Sequence, residues 1–336
     1  METILFNARH RADEMMLDDR IKKQFEPEMA VYRYLRSLQT ATVNSAFNRR
    51  AKKDYTIQIE WMNACSNFDI ADNSCEIGGD KLSTNIEEYT LDHRFVKGFS
   101  VDDEDFRDNE FNATEAIAKG LVKIDKELSE DFSRYLVGML NTFAGVNQVP
   151  GVPPGIVVNG DITEIQSALW TPNIMAYFAR TMIMNRFTSA ALIHGSNLFE
   201  TLYTAAANAA NANDKGDYIL WNKMQHWFDL FNVDTVNGGD FFSYMVSSGA
   251  IAMANKAWNP DAPERTFHDI RYTMPSRFME GMRYDVFYTN SCDEHATGNN
   301  SDILKHDWKV VLTADVFLNP EGCQEDNTGI LRFQNV

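Results

Sequence analysis

The sequence predicts a mixed α+β protein, and three patterns along the chain indicate this class. Residues 55–61 (YTIQIEW) alternate apolar and polar side chains, as a half-buried strand does. Residues 113–143 carry apolar side chains at steps of three and four, the spacing of one helix face. Helical segments alternate with short apolar strands over residues 161–259, and aromatic, β-branched segments follow from residue 265.

The alternating segment opens a predicted β-hairpin. Ile57, Ile59 and Trp61 share one side of the first strand. A turn at Gly78-Gly79 separates two β-prone stretches, and the second one ends near Phe95. An isolated two-stranded hairpin is at best marginally stable, so we expect this one to pack on another surface.

A long helix is predicted over residues 113–143, after an acidic run that we interpret as a solvated loop. Asn112 and Glu115 have the spacing of a capping box at its start. The interpretation places five apolar residues in its buried face: Ile117, Leu121, Ile124, Leu128 and Phe132. It places five charged residues on the other faces: Lys119, Lys123, Asp125, Lys126 and Glu130. Gly120 and Gly138 each weaken such a helix by about 1 kcal/mol relative to alanine.

The remaining segments are predicted more coarsely. Residues 1–54 suggest an extended arm with one or two helices, one of them over residues 27–38. The Gly- and Pro-rich segment 145–155 is the clearest boundary. Within the central lobe, the spacing of Trp221, Trp227 and Phe228 predicts a helix over residues 217–228, followed by a strand and turn over 229–239.

Composition and charge exclude several classes of protein. The 336 residues are 44% hydrophobic and 24% charged, which is typical of a globular chain. A net charge of −17 argues against sequence-specific nucleic-acid binding, which depends on clustered Lys and Arg. No apolar run approaches the roughly 18 residues of a membrane span, and the charged N-terminus lacks a signal-peptide core. We therefore expect a protein made in the cytoplasm, with Cys65, Cys75, Cys292 and Cys323 reduced.

Catalytic motifs with a recognisable mechanism are missing from the sequence, so we expect no catalytic, cofactor or metal site. The most site-like cluster is Cys292-Asp293-Glu294-His295, with His306 and Asp307 further on. Its spacing lacks the paired ligands of zinc modules, so we interpret it as a polar surface loop. A metal- or carboxylate-dependent enzyme that uses this loop is the alternative. His194 ends an apolar strand and is interpreted as a core or interface histidine.

The order of the elements carries a resemblance. An arm, a β-hairpin, an acidic turn, a very long helix, a Gly/Pro break, an α/β lobe and terminal antiparallel strands follow one another. This order is similar to that of the HK97-fold major capsid proteins of tailed bacteriophages. Three segments have a local sequence pattern similar to that family: residues 87–132, SAALIHGSNLFETLYTAA and VSSGAIAMANKAW. The similarity as a whole extends from Tyr55 to the end of the sequence.

The resemblance implies a domain plan and a function. It assigns residues 1–54 to an N-terminal arm, 55–95 to the E-loop hairpin, 96–160 to the P domain with its spine helix, 161–260 to the A domain, and 261–336 to return strands of the P domain. It implies a structural, non-enzymatic protein that assembles into hexamers and pentamers of an icosahedral shell. The hairpin would then contact an adjacent subunit, with Ile57, Ile59 and Trp61 forming an exposed stripe and Phe68 and Tyr89 as further contacts.

The same resemblance implies a setting and partners. The protein would reside in the virion capsid after assembly in the host cytoplasm, and the shell would enclose double-stranded DNA without sequence-specific contacts. Portal, scaffolding and decoration proteins would be its partners, and no membrane would be involved. The alternatives are an encapsulin-like nanocompartment shell, a minor virion protein, and a metal- or carboxylate-dependent enzyme.

Overall fold

The computed structural model gives an α+β architecture of two large sheets and one very long helix. It describes residues 2–43, 55–61, 85–102, 113–149, 151–187, 189–199, 202, 218–221, 224–239, 241–257, 264–265, 269–293, 303–320 and 328–336. None of the described helices is long and apolar enough to cross a membrane.

The spine helix is the central element. The N-terminal segment forms α1 (Glu2–Met15), α2 (Asp19–Phe25) and α3 (Ala30–Leu38), and the spine is α4 (Ala113–Phe143). Tyr34 and Leu35 of α3 are fully buried in the same core as the spine helix. The prediction of an extended arm is therefore wrong for these helices, because α3 is amphipathic and buries its apolar face within the chain.

One sheet packs against the spine helix. Its strands are β4 (Arg94–Asp102), β11 (Ile251–Asn255), β12 (Glu264–Arg265), β13 (Asp269–Pro275), β14 (Arg283–Asp293) and β15 (Ile303–Leu318). All of their pairings are antiparallel, and β15 pairs with β4, β11 and β14 along its length. Phe95, Phe99 and Trp308 point from this sheet toward the helix, and Lys97 reaches Asp131 on it at 2.9 Å.

The central lobe is built on a seven-stranded sheet. Its strands are β5 (Ile156–Asn159), β6 (Ile162–Ile165), β7 (Ala190–His194), β8 (Tyr218–Trp221), β9 (Met224–Phe228), β10 (Phe242–Ser247) and β16 (Ile330–Asn335). Among the described residues, α5 (Ile174–Met184) and α6 (Leu230–Val236) accompany it. The order β5-β6-β16-β10-β7-β9-β8 places the last strand, β16, inside the sheet between β6 and β10.

This topology corrects the predicted boundary at residue 261. β16 belongs to the lobe sheet, because Ile330, Leu331 and Phe333 are all buried and suit a strand covered on both faces. β11 belongs to the spine sheet although it precedes residue 261.

The sequence prediction for residues 217–239 is also wrong. β8 and β9 form a short antiparallel pair where we predicted a helix, and β9 pairs in parallel with β7. Residues 230–236 are helical where we predicted a strand, because Asp229 caps the helix by accepting a hydrogen bond from the Asn232 N–H.

Candidate assembly surfaces

The base of the predicted hairpin is present in the structure. β2 (Thr56–Trp61) and β3 (Asn85–Thr90) pair antiparallel, and β1 (Thr42–Val43) adds a third strand. The turn at Gly78-Gly79 and Phe68 lie outside the described residues. The structure therefore describes the two strands on either side of residues 62–84.

The predicted exposed stripe is wrong. Ile57 and Ile59 are fully buried, and Trp61 is 1% exposed. They pack within the chain on Ala252 and Ala254, across the face of the spine sheet that points away from the helix. Small alanines on β11 let the hairpin approach closely, so its apolar side is covered without a second subunit.

Tyr89 belongs to the same buried contact. Its ring lies 4.4 Å from that of Phe317, and its hydroxyl accepts a hydrogen bond of 3.0 Å from the Trp61 indole N–H. The hydroxyl in turn donates to Glu87. Burial, together with that carboxylate, raises the pKa of Tyr89 to about 12. Tyr89 thus anchors the hairpin within its own subunit.

The outer side of the hairpin has a different chemistry. Glu60 and Glu88 are exposed, and Ile86 between them is 59% exposed. Glu60 lies opposite Ile86 across the strand pair, and Glu88 lies opposite Gln58. We call Glu60, Ile86 and Glu88 the acidic hairpin face.

A groove of about 370 Å³ crosses the same outward face of the spine sheet. Arg271, Phe287 and Lys309 form one cross-strand row on β13, β14 and β15. Arg271 and Lys309 are exposed, and the Arg271 guanidinium lies 5.3 Å from the centre of the Phe287 ring. The next row carries Asp307, which accepts a hydrogen bond from Ser100. We call Arg271, Phe287 and Lys309 the cationic groove.

The predicted core face of the spine helix is buried throughout. Ile117, Leu121, Ile124, Leu128 and Phe132 are all at most 5% exposed. Phe132 makes edge contacts with the rings of Tyr32 on α3 and Phe95 on β4, at 6.2 and 5.8 Å. These residues hold the arm helices and the sheet together rather than facing solvent.

Asp125 contradicts its predicted place on a polar face, because it is fully buried. Its carboxylate accepts hydrogen bonds from the Tyr284 hydroxyl (2.6 Å), the Ser276 hydroxyl (2.7 Å) and the Arg277 backbone N–H (2.7 Å). Burial raises the pKa of Asp125, and the three hydrogen bonds oppose that shift. One carboxylate therefore fixes the turn between β13 and β14 to the spine helix.

A second polar cluster lies further along the helix, toward its C-terminal end. The Tyr135 hydroxyl donates to Asp315 on β15 (2.5 Å), and His93 Nδ1 lies 3.0 Å from the same carboxylate. Burial and the adjacent carboxylate raise the pKa of Tyr135. No sequence pattern signalled this cluster, because its three members come from separate elements.

The predicted surface loop is only partly within the described residues. His306 lies on β15, with its Nδ1 atom 2.7 Å from the Tyr288 hydroxyl, whereas Glu294 and His295 lie outside the described residues. Within the described part of the chain, no three His, Cys, Asp or Glu side chains converge on a possible metal position. His194 is fully buried, with its Nδ1 atom 2.8 Å from the Ser243 hydroxyl.

Comparisons of the whole chain give similarity in structure only. No protein-family model matches the chain, and no curated protein matches it in sequence. A structure of Mycobacterium phage Che8 is similar at a TM-score of 0.46 and 11% identity, over 89% of this chain and 90% of that one. The cyanophage Pam1 capsid asymmetric unit gives a TM-score of 0.48 and 9% identity, over 87% of both chains. A virus-like particle from Pyrococcus furiosus gives 0.39 and 9%, over 84% and 86%. The chain thus resembles phage capsid structures and a virus-like particle over most of its length.

Proposed function

We propose that this chain is a structural coat protein that assembles with copies of itself into a closed icosahedral shell. The observation that carries the proposal is a pair of exposed surfaces, the acidic hairpin face and the cationic groove. Each surface has an apolar side chain beside two like charges, and the charges are opposite. Such surfaces suit a heterologous contact between copies.

Within one chain the acidic hairpin face is turned outward. The inner side of the hairpin packs on Ala252, Ala254 and Phe317, so Glu60, Ile86 and Glu88 point away from their own sheet. A second copy that presents its hairpin to the groove would place Glu60 and Glu88 near Arg271 and Lys309. Because the two patches differ, repetition of this contact builds rings or extended assemblies rather than isolated dimers.

The order of elements supports the finer picture implied by the sequence resemblance. The hairpin precedes a 31-residue spine helix, and the longest strand, of 16 residues, returns late in the chain to cover that helix. In this picture subunits form hexamers and pentamers, and the shell surrounds double-stranded DNA inside a virion made in the host cytoplasm. Portal, scaffolding and decoration proteins are the expected partners.

Charge reversal tests the contact directly. Arg271→Glu with Lys309→Glu, or Glu60→Lys with Glu88→Lys, should abolish closed shells in negative-stain microscopy and leave a folded subunit by circular dichroism. The quadruple variant, with both surfaces reversed, should restore shells because the charges are again opposite. Lys22→Glu with Lys23→Glu on the exposed side of α2 makes the same change in net charge as the groove variant and serves as its control.

The possible results distinguish a failure of the hairpin–groove contact from a failure of the coat-protein proposal. A wild-type protein that stays monomeric across salt and protein concentrations, in sedimentation experiments, would remove the coat-protein proposal. Shells that form normally in both double variants would remove only the hairpin–groove contact. Loss in both double variants without restoration in the quadruple one would show that the two surfaces have separate partners.

A further inference from the structure

One buried carboxylate joins the arm to the central lobe. Asp229 is fully buried and immediately precedes α6. One of its oxygens accepts hydrogen bonds from Asn232, from the backbone N–H at 3.3 Å and from the side-chain amide at 2.8 Å. Its other oxygen accepts a hydrogen bond of 3.1 Å from the backbone N–H of Val31, in the first turn of α3. Asp229 therefore caps two helices that are about two hundred residues apart in sequence.

The capping is reciprocal. Glu28, just before α3, accepts a hydrogen bond of 3.2 Å from the backbone N–H of Phe231 in the first turn of α6. The backbone carbonyl of Glu28 also accepts one of 2.8 Å from the Asn232 side chain. Free N–H groups at helix starts need such acceptors. Each helix start is thus satisfied by the acidic residue at the start of the other, and we call this arrangement the Glu28–Asp229 clasp.

We propose that the Glu28–Asp229 clasp is a pH-dependent latch, which holds α3 on α6 more firmly at acidic pH and loosens as the pH rises toward neutral. The clasp places the Glu28 carboxylate beside the carboxylate of Asp229, which has no access to solvent. Ionisation of Asp229 leaves a charge in a buried site with a like charge nearby, and opening the clasp returns that charge to water.

The other groups that face the clasp come from four elements. Asp234 lies further along α6, where its carboxylate accepts a hydrogen bond from the Ser196 N–H. Arg134 on the spine helix lies over the Phe231 ring at 5.9 Å. His194 on β7 accepts a hydrogen bond from the Asp229 N–H through its carbonyl, and its ring lies 2.9 Å from that of His226 on β9. Burial, with the neighbouring His226, lowers the pKa of His194 well below its usual value.

The direction of the pH effect follows from the carboxyl pKa. Burial raises the pKa of Asp229 from 3.8 to about 6 in the closed clasp, and the Glu28 carboxylate adds to this shift, whereas the hydrogen bonds from Val31 and Asn232 oppose it. A group whose pKa is raised in the closed state binds its proton more tightly there, so the clasp is most stable below pH 3.8 and weakens through about pH 6. If opening restores the ordinary value, the opening equilibrium grows about fourfold between about pH 5.5 and pH 7.

Hydrogen exchange of the α3 amides, read by mass spectrometry and corrected for intrinsic rates, tests the latch. Measurements at about pH 5.5 and 7 stay above the isoelectric point of about 4.8. The wild-type protein should show the fourfold increase in opening. Asp229→Asn keeps a capping oxygen without the charge and should remove the pH dependence. Asp229→Ala should raise exchange at both pH values by a similar factor.

Two further variants make the test specific. Glu28→Gln keeps the hydrogen-bond acceptor for Phe231 and removes the like charge, so the midpoint of the pH dependence should move to lower pH. Asp234→Asn changes a carboxylate on α6 that contacts Ser196 instead of α3, and the fourfold increase should persist. An increase in Asp229→Asn equal to that of the wild type, or no increase in the wild type, would overturn the proposal. Neither result depends on whether the protein forms shells.

Discussion

Two glycines in the spine helix allow a paired prediction, because they share a helix but not an environment. Around Gly138 there is open space: outside the nearby backbone of its own helix, no atom of the described residues lies within 4 Å of where a Cβ would lie. A Cβ on Gly120 would lie 2.7 Å from the Phe99 ring. That ring is itself stacked on Trp308, with centroids 4.9 Å apart and an interplanar angle of 7°, so it has little freedom to move.

The magnitudes follow from these surroundings. Replacing either glycine by alanine gains about 1 kcal/mol of helix propensity. Gly138→Ala should therefore raise the free energy of unfolding by about 0.5–1 kcal/mol. Gly120→Ala gains the same amount but overpacks the helix–sheet contact at a cost of about 1–3 kcal/mol. Its net effect should be a loss of up to about 2 kcal/mol, and the two variants should differ by about 1–3 kcal/mol.

Urea unfolding followed by circular dichroism in the helical band measures both changes. Phe99→Leu in the Gly120→Ala background should recover part of the loss, because a smaller side chain makes room for the added methyl group. A double-mutant cycle isolates this coupling, which should fall within about 0.5–3 kcal/mol. If both alanine variants stabilise the protein equally, the close approach of β4 to the helix at Gly120 is refuted.

Two other positions on the spine helix give further tests by the same assay. Leu128→Ala should cost about 2–5 kcal/mol because Leu128 is fully buried, whereas Lys126→Ala should change the free energy of unfolding by no more than about 0.5 kcal/mol; equal losses would contradict the assigned helix face. Asp125→Ala should cost about 3–5 kcal/mol, since it leaves three buried donors without their acceptor; a loss below about 1 kcal/mol would show that the turn between β13 and β14 is held by other contacts.

Periodic patterns made some elements predictable from the sequence. The helix over residues 113–143 was predicted with its observed bounds, because 31 residues of amphipathic spacing leave little ambiguity. The hairpin strands were predicted from alternation, but alternation does not reveal which surface covers the apolar side. That surface is β11, whose alanines lie nearly two hundred residues further along the chain.

Single polar residues were harder to predict than elements. Asp125 has the spacing of a solvent-exposed position, and only its partners on the β13–β14 turn explain its burial. Over residues 217–228, the spacing of three aromatic residues suggested a helix. The structure has strands there, because β9 pairs in parallel with β7. The capping of α6 by Asp229 was not predicted, although Asp is a common residue at the start of a helix.

The burial of the hairpin stripe changes how assembly is expected to work. If Ile57, Ile59 and Trp61 were free, apolar burial would drive association strongly and with little dependence on salt. Because they are covered within the subunit, the outer side of the described hairpin strands offers the Glu60 and Glu88 carboxylates and the exposed Ile86 to a neighbour. Contacts of this kind between exposed charges are individually weak and are screened at high ionic strength. In the proposed shell, stability would come from many repeated contacts of this kind, and weak single contacts would let subunits with a net charge of −17 associate reversibly before closure.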